Sequence, residues 1–227
     1  MRITFHGHAC FSVFCNDIEF LIDPFLTGNP QCEVELDDVC PDVILVTHGH
    51  EDHLGDALEI AKRTGATLAG QVDLLKALDV RGLDTVAWNI GGTAKLRGVP
   101  VLMTPAWHGS TVVDEQGVGY AGVACGFIIS GDGKKLYHAG DTGLFGDMRT
   151  VLARYGLDCV LLPIGDFYTM GPEDAVIAAQ WLGANLVVPM HYDTFPLIQQ
   201  DGAAFGAKIA ANGQRCAVLA PGDTLQI

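Results

Sequence analysis

The sequence predicts an α/β fold in which strands and helices interleave after a strand-rich start. Three observations support this prediction: short apolar runs rich in β-forming residues, helical segments between them, and a composition of 49% hydrophobic and 18% charged residues over 227 positions. A chain of this length and composition can bury a full core. No linker, charge block or low-complexity stretch divides the sequence, so we expect one domain over residues 1–227.

The first strands are predicted close to the start of the chain. Three runs are rich in β-forming side chains, at residues 2–6, 10–15 and 18–22. Asn16 and Asp17 separate the last two runs and predict a tight turn between them. Residues 42–47 form a short apolar run typical of a buried strand, and this run ends where a group of histidines begins.

Two helices are predicted from apolar spacing and from start and stop signals. In the first helix the apolar face consists of Leu54, Ala57, Leu58 and Ala61. Gly65 is placed to end this helix. The second helix starts at Pro172, has acidic residues in its first turn and ends before Gly183.

Side chains that can bind metal follow several later strands. These strands are predicted at residues 99–103, 135–138, 158–162 and 185–190. Asp141 and His191 closely follow two of them, and His108 lies a few residues beyond another. Because α/β proteins place their chemistry in loops at one edge of a sheet, we expect these residues to lie near His48, which follows the strand at 42–47.

The segment from His48 to His53 has the sequence His-Gly-His-Glu-Asp-His and holds four potential metal ligands. In a tight loop, alternate residues can point into the same space, so His48 and His50 can bind one ion. Asp52 and His53 can then turn toward a second ion. Imidazole suits zinc and other transition metals, while carboxylates widen the choice toward manganese or iron. The alternative, a solvated polar helix start, leaves the full pattern after an apolar strand unexplained.

The order His-x-His-x-Asp-His, His, Gly-Asp, His between positions 48 and 191 resembles the signature of the metallo-β-lactamase superfamily. This resemblance implies an αββα sandwich, in which helices flank two mixed sheets and the site lies at one rim. It implies ligands for one metal at His48, His50 and His108. It implies ligands for a second metal at Asp52, His53 and His191, with Asp141 as the bridge.

A finer resemblance is to short, cytoplasmic metal-dependent hydrolases related to the ascorbate-6-phosphate lactonase branch. It rests on the motifs at residues 5–9, 21–24, 139–142 and 163–174. His50 occupies a position where diiron flavoproteins of this fold usually have Glu, which disfavours redox chemistry. Asp141 occupies a position where antibiotic-hydrolysing relatives have Cys or Ser, and it resembles the lactonase, thioesterase and phosphodiesterase branches.

These features predict a hydrolase that uses two divalent metal ions. Zinc is favoured, with manganese, nickel and iron as alternatives. A hydroxide bridging the two metals would attack a small ester, lactone or phosphodiester, and Asp52 would orient it and help to move a proton. The alternatives are a nuclease or cyclic-nucleotide phosphodiesterase, and a non-catalytic metal-binding protein.

Five other residues are candidates for supporting roles. His8 either donates a hydrogen bond to the substrate or developing oxyanion, as a catalytic residue, or closes a strand turn. Asp23 and Asp166 either accept an N–H from a ligand imidazole or cap turns. His138 either orients a ligand or is a satisfied core histidine, and His6 is expected to be structural.

The net charge and the cysteine content indicate which partners and which cellular compartment are expected. With 27 acidic and 13 basic residues the formal net charge is −14, which disfavours nucleic-acid binding and leaves a small-molecule substrate. Seven cysteines without a Cys-x-x-Cys pair indicate reduced, buried thiols in a cytoplasmic protein. No signal peptide and no apolar run of about 20 residues is evident, so no membrane association is expected. A homo-oligomer is compatible with the sequence.

Overall fold

The computed structural model describes residues 1–115 and 117–227. Its strands are β1 Arg2–Gly7, β2 Cys10–Cys15, β3 Ile18–Ile22, β4 Val43–Val46, β5 Thr67–Gln71, β6 Thr85–Trp88, β7 Thr93–Leu96, β8 Val99–Pro105, β9 Thr111–Asp114, β10 Gly117–Tyr120, β11 Cys125–Gly131, β12 Lys134–His138, β13 Cys159–Pro163, β14 Leu186–Met190, β15 Arg215–Cys216 and β16 Thr224–Gln226. Its helices are α1 Glu51–Leu54, α2 Ala57–Thr64, α3 Val72–Ala77, α4 Asp147–Thr150, α5 Pro172–Leu182 and α6 Gly202–Ala211, with 3-10 turns at Leu36–Asp38, Leu152–Tyr155 and Pro196–Ile198.

Two seven-stranded mixed sheets form the centre of the fold. The first has the order β16-β1-β2-β3-β4-β5-β6, and the second has the order β15-β14-β13-β12-β11-β8-β7. In the first sheet the strands from β3 to β6 are parallel. In the second sheet the strands from β12 to β15 are parallel. In both sheets the remaining neighbours pair antiparallel.

Alternating side chains of β4 show how the layers are built. Val43 and Leu45 belong to the large core shared by both sheets, whereas Ile44 and Val46 belong to a second core beneath α2 and α3. Successive residues of a strand face opposite sides, so a strand buried on both sides is apolar throughout. Residues of α5 join the large core from the outer side of the second sheet, where this helix contacts β13. The arrangement is the αββα sandwich that the resemblance implied.

Most predicted elements occur at the expected positions. The strands predicted at 10–15 and 18–22 coincide with β2 and β3, and Asn16 and Asp17 between them have positive φ of 50° and 61°. The helix starting at Pro172 ends before Gly183, which is left-handed with φ 66°. The first predicted helix differs from the structure, because the chain forms two short helices, α1 and α2, with an interruption at Gly55 between them. A Cβ at position 55 would lie 2.3 Å from the Pro24 carbonyl oxygen.

The hairpin of β9 and β10 was not predicted from the sequence. It forms a separate two-stranded sheet after His108, and its residues Val113, Val118 and Tyr120 are exposed. The glycines in this segment weaken the alternation that would mark a strand. Over the described residues, no helix combines the length and the apolar character that a bilayer span requires.

Candidate metal centre

The predicted ligands lie in loops that follow four strands from both sheets. His48 lies two residues after β4, and His50 precedes the single turn of α1, which contains Asp52 and His53. The remaining three come from the second sheet: His108 after β8, Asp141 after β12 and His191 directly after β14. The Cys125 amide donates to the Thr47 carbonyl oxygen at 3.1 Å, so the two sheets are joined beside these loops.

The first three histidines form one group. Nδ1 of His50 lies 3.0 Å from Nε2 of His48 and 3.3 Å from Nε2 of His108. His48 is buried, while His50 and His108 are half-buried. Three imidazole nitrogens that converge at one point form a donor set suited to a transition-metal ion.

Asp141 lies between this group and a second one. Its Oδ1 is 3.2 Å from Nε2 of His53, and its Oδ2 is 3.0 Å from Nε2 of His191. The same Oδ2 is also 3.5 Å from Nε2 of His108. Asp52 completes the second group, with its Oδ2 4.0 Å from Nε2 of His191. The structure therefore brings all seven predicted ligands together, with Asp141 next to both groups.

Several atoms of this cluster are buried and have no hydrogen-bond partner among the described residues. They are His53 Nε2, Asp141 Oδ1, His191 Nδ1 and His191 Nε2. An unpartnered buried polar atom is costly, and native structures rarely tolerate several in one place. A cation bound by Nε2 of His53, Nε2 of His191 and the Asp141 carboxylate would remove this cost for three of the four atoms. The residues present therefore fit divalent metal ions.

Asp23 orients one histidine of each group. Its Oδ2 accepts a hydrogen bond from Nδ1 of His53 at 2.8 Å and from the Thr47 hydroxyl at 2.7 Å. Because that hydroxyl donates to Asp23, it accepts from Nδ1 of His48, which lies 3.0 Å away. The outer nitrogens of His48 and His53 thus carry protons, and their Nε2 atoms face the centre. Outer hydrogen bonds of this kind fix the ligand tautomer.

His138 holds the backbone on both sides of the centre. Its Nδ1 accepts from the Gly140 amide at 3.1 Å, so its Nε2 carries the proton that is donated to the Ala9 carbonyl oxygen at 2.9 Å. The side chain is fully buried and both ring nitrogens are satisfied. His138 therefore contacts the chain next to His8 and next to Asp141 but does not itself face the metal ligands.

Two other candidates lie away from the ligands. Asp166 is exposed, has φ 71° and donates its amide to the Met170 carbonyl oxygen at 3.2 Å, which is a turn geometry. His6 is buried with Nε2 2.8 Å from the Ser12 hydroxyl, which ties β1 to β2. Of the two aspartates considered for contact with a ligand imidazole, the structure places Asp23 there and Asp166 in a turn.

Burial and neighbouring charges shift the pKa values of several predicted ligands. Burial lowers the pKa of His48 well below 6.5 and so keeps that imidazole neutral. Burial acts in the same direction on His53, but the adjacent Asp141 and Asp23 carboxylates outweigh it and raise the pKa of His53. Burial alone would raise the pKa of Asp141, and the charges of His191 and His53 instead hold it well below its ordinary value. A divalent ion would replace the proton on His53 as the source of positive charge.

His8 reaches the second group from the turn after β1. Its Nε2 lies 3.2 Å from Oδ2 of Asp52, and its Nδ1 lies 2.8 Å from the Thr194 hydroxyl. The side chain is fully buried, and burial together with the charge of His191 lowers its pKa to about 4. The turn-closing alternative accounts for its backbone position but not for the direction of its imidazole.

A cleft of about 390 Å³ opens beside the predicted metal ligands. Its apolar walls are Phe25, Phe195 and Val113. The remaining lining residues are Gly49, His50, Glu51, Asp52 and Thr111. Gly49 allows the β9 segment to approach, because a Cβ at position 49 would lie 2.7 Å from the Thr111 carbonyl oxygen. Local sequence patterns could not predict this cleft, because its apolar walls come from three separate segments of the chain.

Comparison with known proteins agrees with this geometry. The family model described as the β-lactamase superfamily domain matches residues 19–192. UPF0173 metal-dependent hydrolases of Geobacillus thermodenitrificans and Desulfitobacterium hafniense are 44% and 48% identical to this chain. The alignment with the first covers 100% of both chains, and that with the second covers 100% of this chain and 99% of the relative.

Solved structures show the same fold. Igni18, a metallo hydrolase from Ignicoccus hospitalis, superposes with a TM-score of 0.89 at 39% identity, covering 100% of this chain and 98% of that one. The isothiocyanate hydrolase from Delia radicum gut bacteria superposes at 0.77 with 22% identity, covering 100% and 99%, a likeness in fold alone. The chain belongs to the UPF0173 family of metal-dependent hydrolases, within the metallo-β-lactamase superfamily.

Proposed function

We propose that this protein hydrolyses a small, neutral carbonyl ester or lactone that carries an apolar group, using two divalent metal ions. When bound, such ions polarise a carbonyl and make water acidic enough to attack near neutral pH. The two ligand groups and the shared position of Asp141 support a pair of ions. Zinc remains the favoured metal for a donor set dominated by imidazole.

Each of the two ions would be held by its own set of residues. His48, His50 and His108 would hold one ion, and Asp52, His53 and His191 would hold the other. Asp141 has a carboxylate oxygen near each group and would be shared. Asp23 and Thr47 keep Nε2 of His48 and of His53 aimed inward, so the two rings are oriented before an ion binds.

Asp52 is the ligand best placed to contact a reacting water. Its side chain is 30% exposed and lines the cleft, whereas Asp141 is only 3% exposed. Burial alone would raise the pKa of Asp52, but the neighbouring His8 and the charge of His53 outweigh it and lower the pKa. The carboxylate therefore stays ionised, so it can accept a hydrogen bond from water and orient it toward the substrate.

The walls of the cleft are the observation that favours a carbonyl substrate. Phe25, Phe195 and Val113 offer apolar surface, and among the described lining residues there is neither Lys nor Arg. A phosphodiester carries a negative charge that enzymes usually bind through such cations. With Asp52 bound to an ion, the charged side chain that remains in the described lining is the acidic Glu51, so the cleft offers no further cation for a phosphate oxygen.

The lining of the cleft supports the two alternative functions from the sequence less well. A nuclease would have to bring a polyanion to a chain of net charge −14, and a cyclic-nucleotide phosphodiesterase would have to bind its phosphate without a Lys or Arg in the described lining. A non-catalytic metal-binding protein would not need a cleft that opens onto Asp52 beside the metal ligands. The contacts therefore favour a catalytic site for an uncharged ester or lactone.

A substrate series tests the proposal. The metal-loaded protein should be assayed with p-nitrophenyl esters of increasing acyl length, with alkyl-substituted lactones and with bis-p-nitrophenyl phosphate. We expect kcat/KM to rise at least tenfold from the acetyl ester to a medium-chain ester or alkyl lactone. Faster turnover of the phosphodiester than of every carbonyl substrate would overturn the substrate class. Metal binding without turnover of any substrate would favour the non-catalytic alternative.

A further inference from the structure

His8 faces the same point in space as three of the predicted metal ligands. One donor atom from each of His8, Asp52, His53 and His191 lies within 4.8 Å of the others. Imidazole nitrogens bind zinc at about 2.0–2.1 Å, so donors on opposite sides of one ion lie about 4.2 Å apart. The spread of these four atoms is therefore close to what a single ion requires.

Hydrogen bonds on the outer side of the ring fix how His8 is presented. The Gln31 side chain accepts the His8 amide through Oε1 at 2.8 Å and donates through Nε2 to the Tyr192 carbonyl oxygen at 3.1 Å. Its Oε1 can only accept, so the Thr194 hydroxyl at 3.2 Å donates to it. That hydroxyl then accepts from Nδ1 of His8 at 2.8 Å, which leaves the Nε2 lone pair toward the centre.

This arrangement repeats the one found for His48 and His53. In all three residues Nδ1 meets a polar side chain of the outer layer, and Nε2 points inward. A histidine that only closed a turn would have no need of a matched partner for Nδ1. The shared pattern indicates that His8 presents its Nε2 in the same way as the two ligands.

The backbone at His8 is also held in a costly conformation. His8 has φ 57° and His191 has φ 56°, values that non-glycine residues seldom adopt. The His191 amide donates to the His8 carbonyl oxygen at 2.8 Å, so the two left-handed residues are fixed to each other. Strain of this kind persists only where surrounding contacts enforce it, and it clusters at functional sites. Here the result is that both imidazoles point at one place.

We infer that Nε2 of His8 is an additional protein ligand of the ion held by Asp52, His53 and His191. Together with Asp141, the second site then offers five protein donors, whereas the first offers three histidines and Asp141. A site with five donors offers five- or six-fold coordination, which manganese, iron, cobalt and nickel accept and to which zinc can expand. The inference rests on the two-ion site of the proposed function, but it does not depend on the substrate. His8 then acts through the ion rather than as a donor to substrate.

Replacement of His8 by Asn tests this assignment by metal binding alone. The Asn amide can still reach Thr194 from near the Nδ1 position, while the Nε2 donor is lost. We expect one of the two cobalt(II) ions to bind at least tenfold more weakly in His8→Asn and the other to be unaffected. The visible absorption of the weakened ion should increase, because cobalt with fewer ligands absorbs more strongly. His6→Asn is the matched control, since the His6 ring bonds Ser12 outside the centre.

Two outcomes would overturn the inference. One is a folded His8→Asn protein whose cobalt affinity and spectrum are unchanged but whose turnover is reduced. That result would indicate that His8 contacts the substrate and does not bind the ion. The other comes from the wild-type protein, so it holds even if the variant does not fold. In a crystal loaded with cobalt(II), Nε2 of His8 should lie at a bonding distance of about 2.0–2.3 Å from an ion, and a distance beyond about 3 Å contradicts the assignment. If ester hydrolysis fails while these metal results hold, only the proposed function is lost.

Discussion

The Asp23 carboxylate and the His53 imidazole are joined by a buried hydrogen bond of 2.8 Å between Oδ2 and Nδ1. The same oxygen accepts from the Thr47 hydroxyl, and the second oxygen accepts the Thr47 amide at 2.8 Å. Through Thr47 the contact extends to His48, so a single carboxylate sets the orientation of a predicted ligand in each of the two groups. Neither group is independent of the other in this arrangement.

Replacement of Asp23 by Ala should weaken the binding of both ions. We expect a loss of 10- to 100-fold in affinity at each site, because the imidazoles lose the partners that fix their tautomers. The free energy of unfolding should also fall by about 2–5 kcal/mol, since several buried donors are left unpaired. Isothermal titration with zinc and denaturant unfolding measure these effects. Asp42→Ala is the control, because that exposed carboxylate bonds the Glu19 amide away from the site. Affinity lost at only one site would show that Asp23 does not link them.

Asp52 should be required for turnover beyond its share in metal binding. In metal-loaded Asp52→Ala we expect kcat to fall at least 100-fold, because the nucleophilic water loses the carboxylate that orients it. Turnover should be measured at zinc concentrations that saturate the variant, with metal content determined on the same sample. Glu59→Ala serves as a control for the loss of one exposed acidic residue near the same helices. A near-normal rate in the loaded Asp52→Ala protein would remove this role.

The apolar wall of the cleft should set the preference for acyl length. Phe195→Ala is expected to raise KM for a medium-chain ester about tenfold and to change the acetyl ester by less than threefold, because only the longer chain reaches the wall. The matched control is Leu197→Ala, an exposed apolar residue two positions further along and outside the cleft lining. Equal effects of Phe195→Ala on both esters would place the substrate elsewhere.

The metal-free protein should lose stability as the pH falls below 6.5. Burial lowers the pKa of His8 to about 4 and that of His48 well below 6.5, so the unfolded chain takes up protons that the folded chain resists. The contribution of His53 has the opposite sign but is already complete below its unfolded pKa of 6.5, so it does not offset this loss. Each proton costs about 1.4 kcal/mol per pH unit. Urea unfolding of chelator-treated protein between pH 7 and 4.5 measures the slope, and a flat profile would contradict these pKa directions.

The sequence was most informative for elements with local start and stop signals and for ligands that are close together in the chain. The strand before His48 and the helix from Pro172 to Gly183 carry strong local signals, and the structure has both. The ligands could be proposed because His-x-His-x-Asp-His is a specific pattern whose members are close in the chain. The break at Gly55 was missed because it depends on the Pro24 carbonyl oxygen, which reaches α1 from another loop.

The hydrogen bonds around the predicted ligands could not be predicted either, because they also join segments that are distant in the sequence. The partner of His8 is Thr194, and Gln31 completes the arrangement from a third segment. The cleft likewise depends on Phe25 and Phe195, which are remote in sequence. Long-range packing of this kind leaves no local period, so the sequence left His8 between two roles and did not describe the pocket.

The proposed function depends on two metal ions held by one chain in the paired groups around Asp141. Anomalous scattering from a zinc-loaded crystal, recorded on both sides of the zinc absorption edge, tests it most directly. We predict two zinc peaks per chain, one among His48, His50 and His108 and the other beside His53 and His191, with Asp141 next to both. A single peak at saturating zinc, or peaks away from these residues, would contradict the two-metal account.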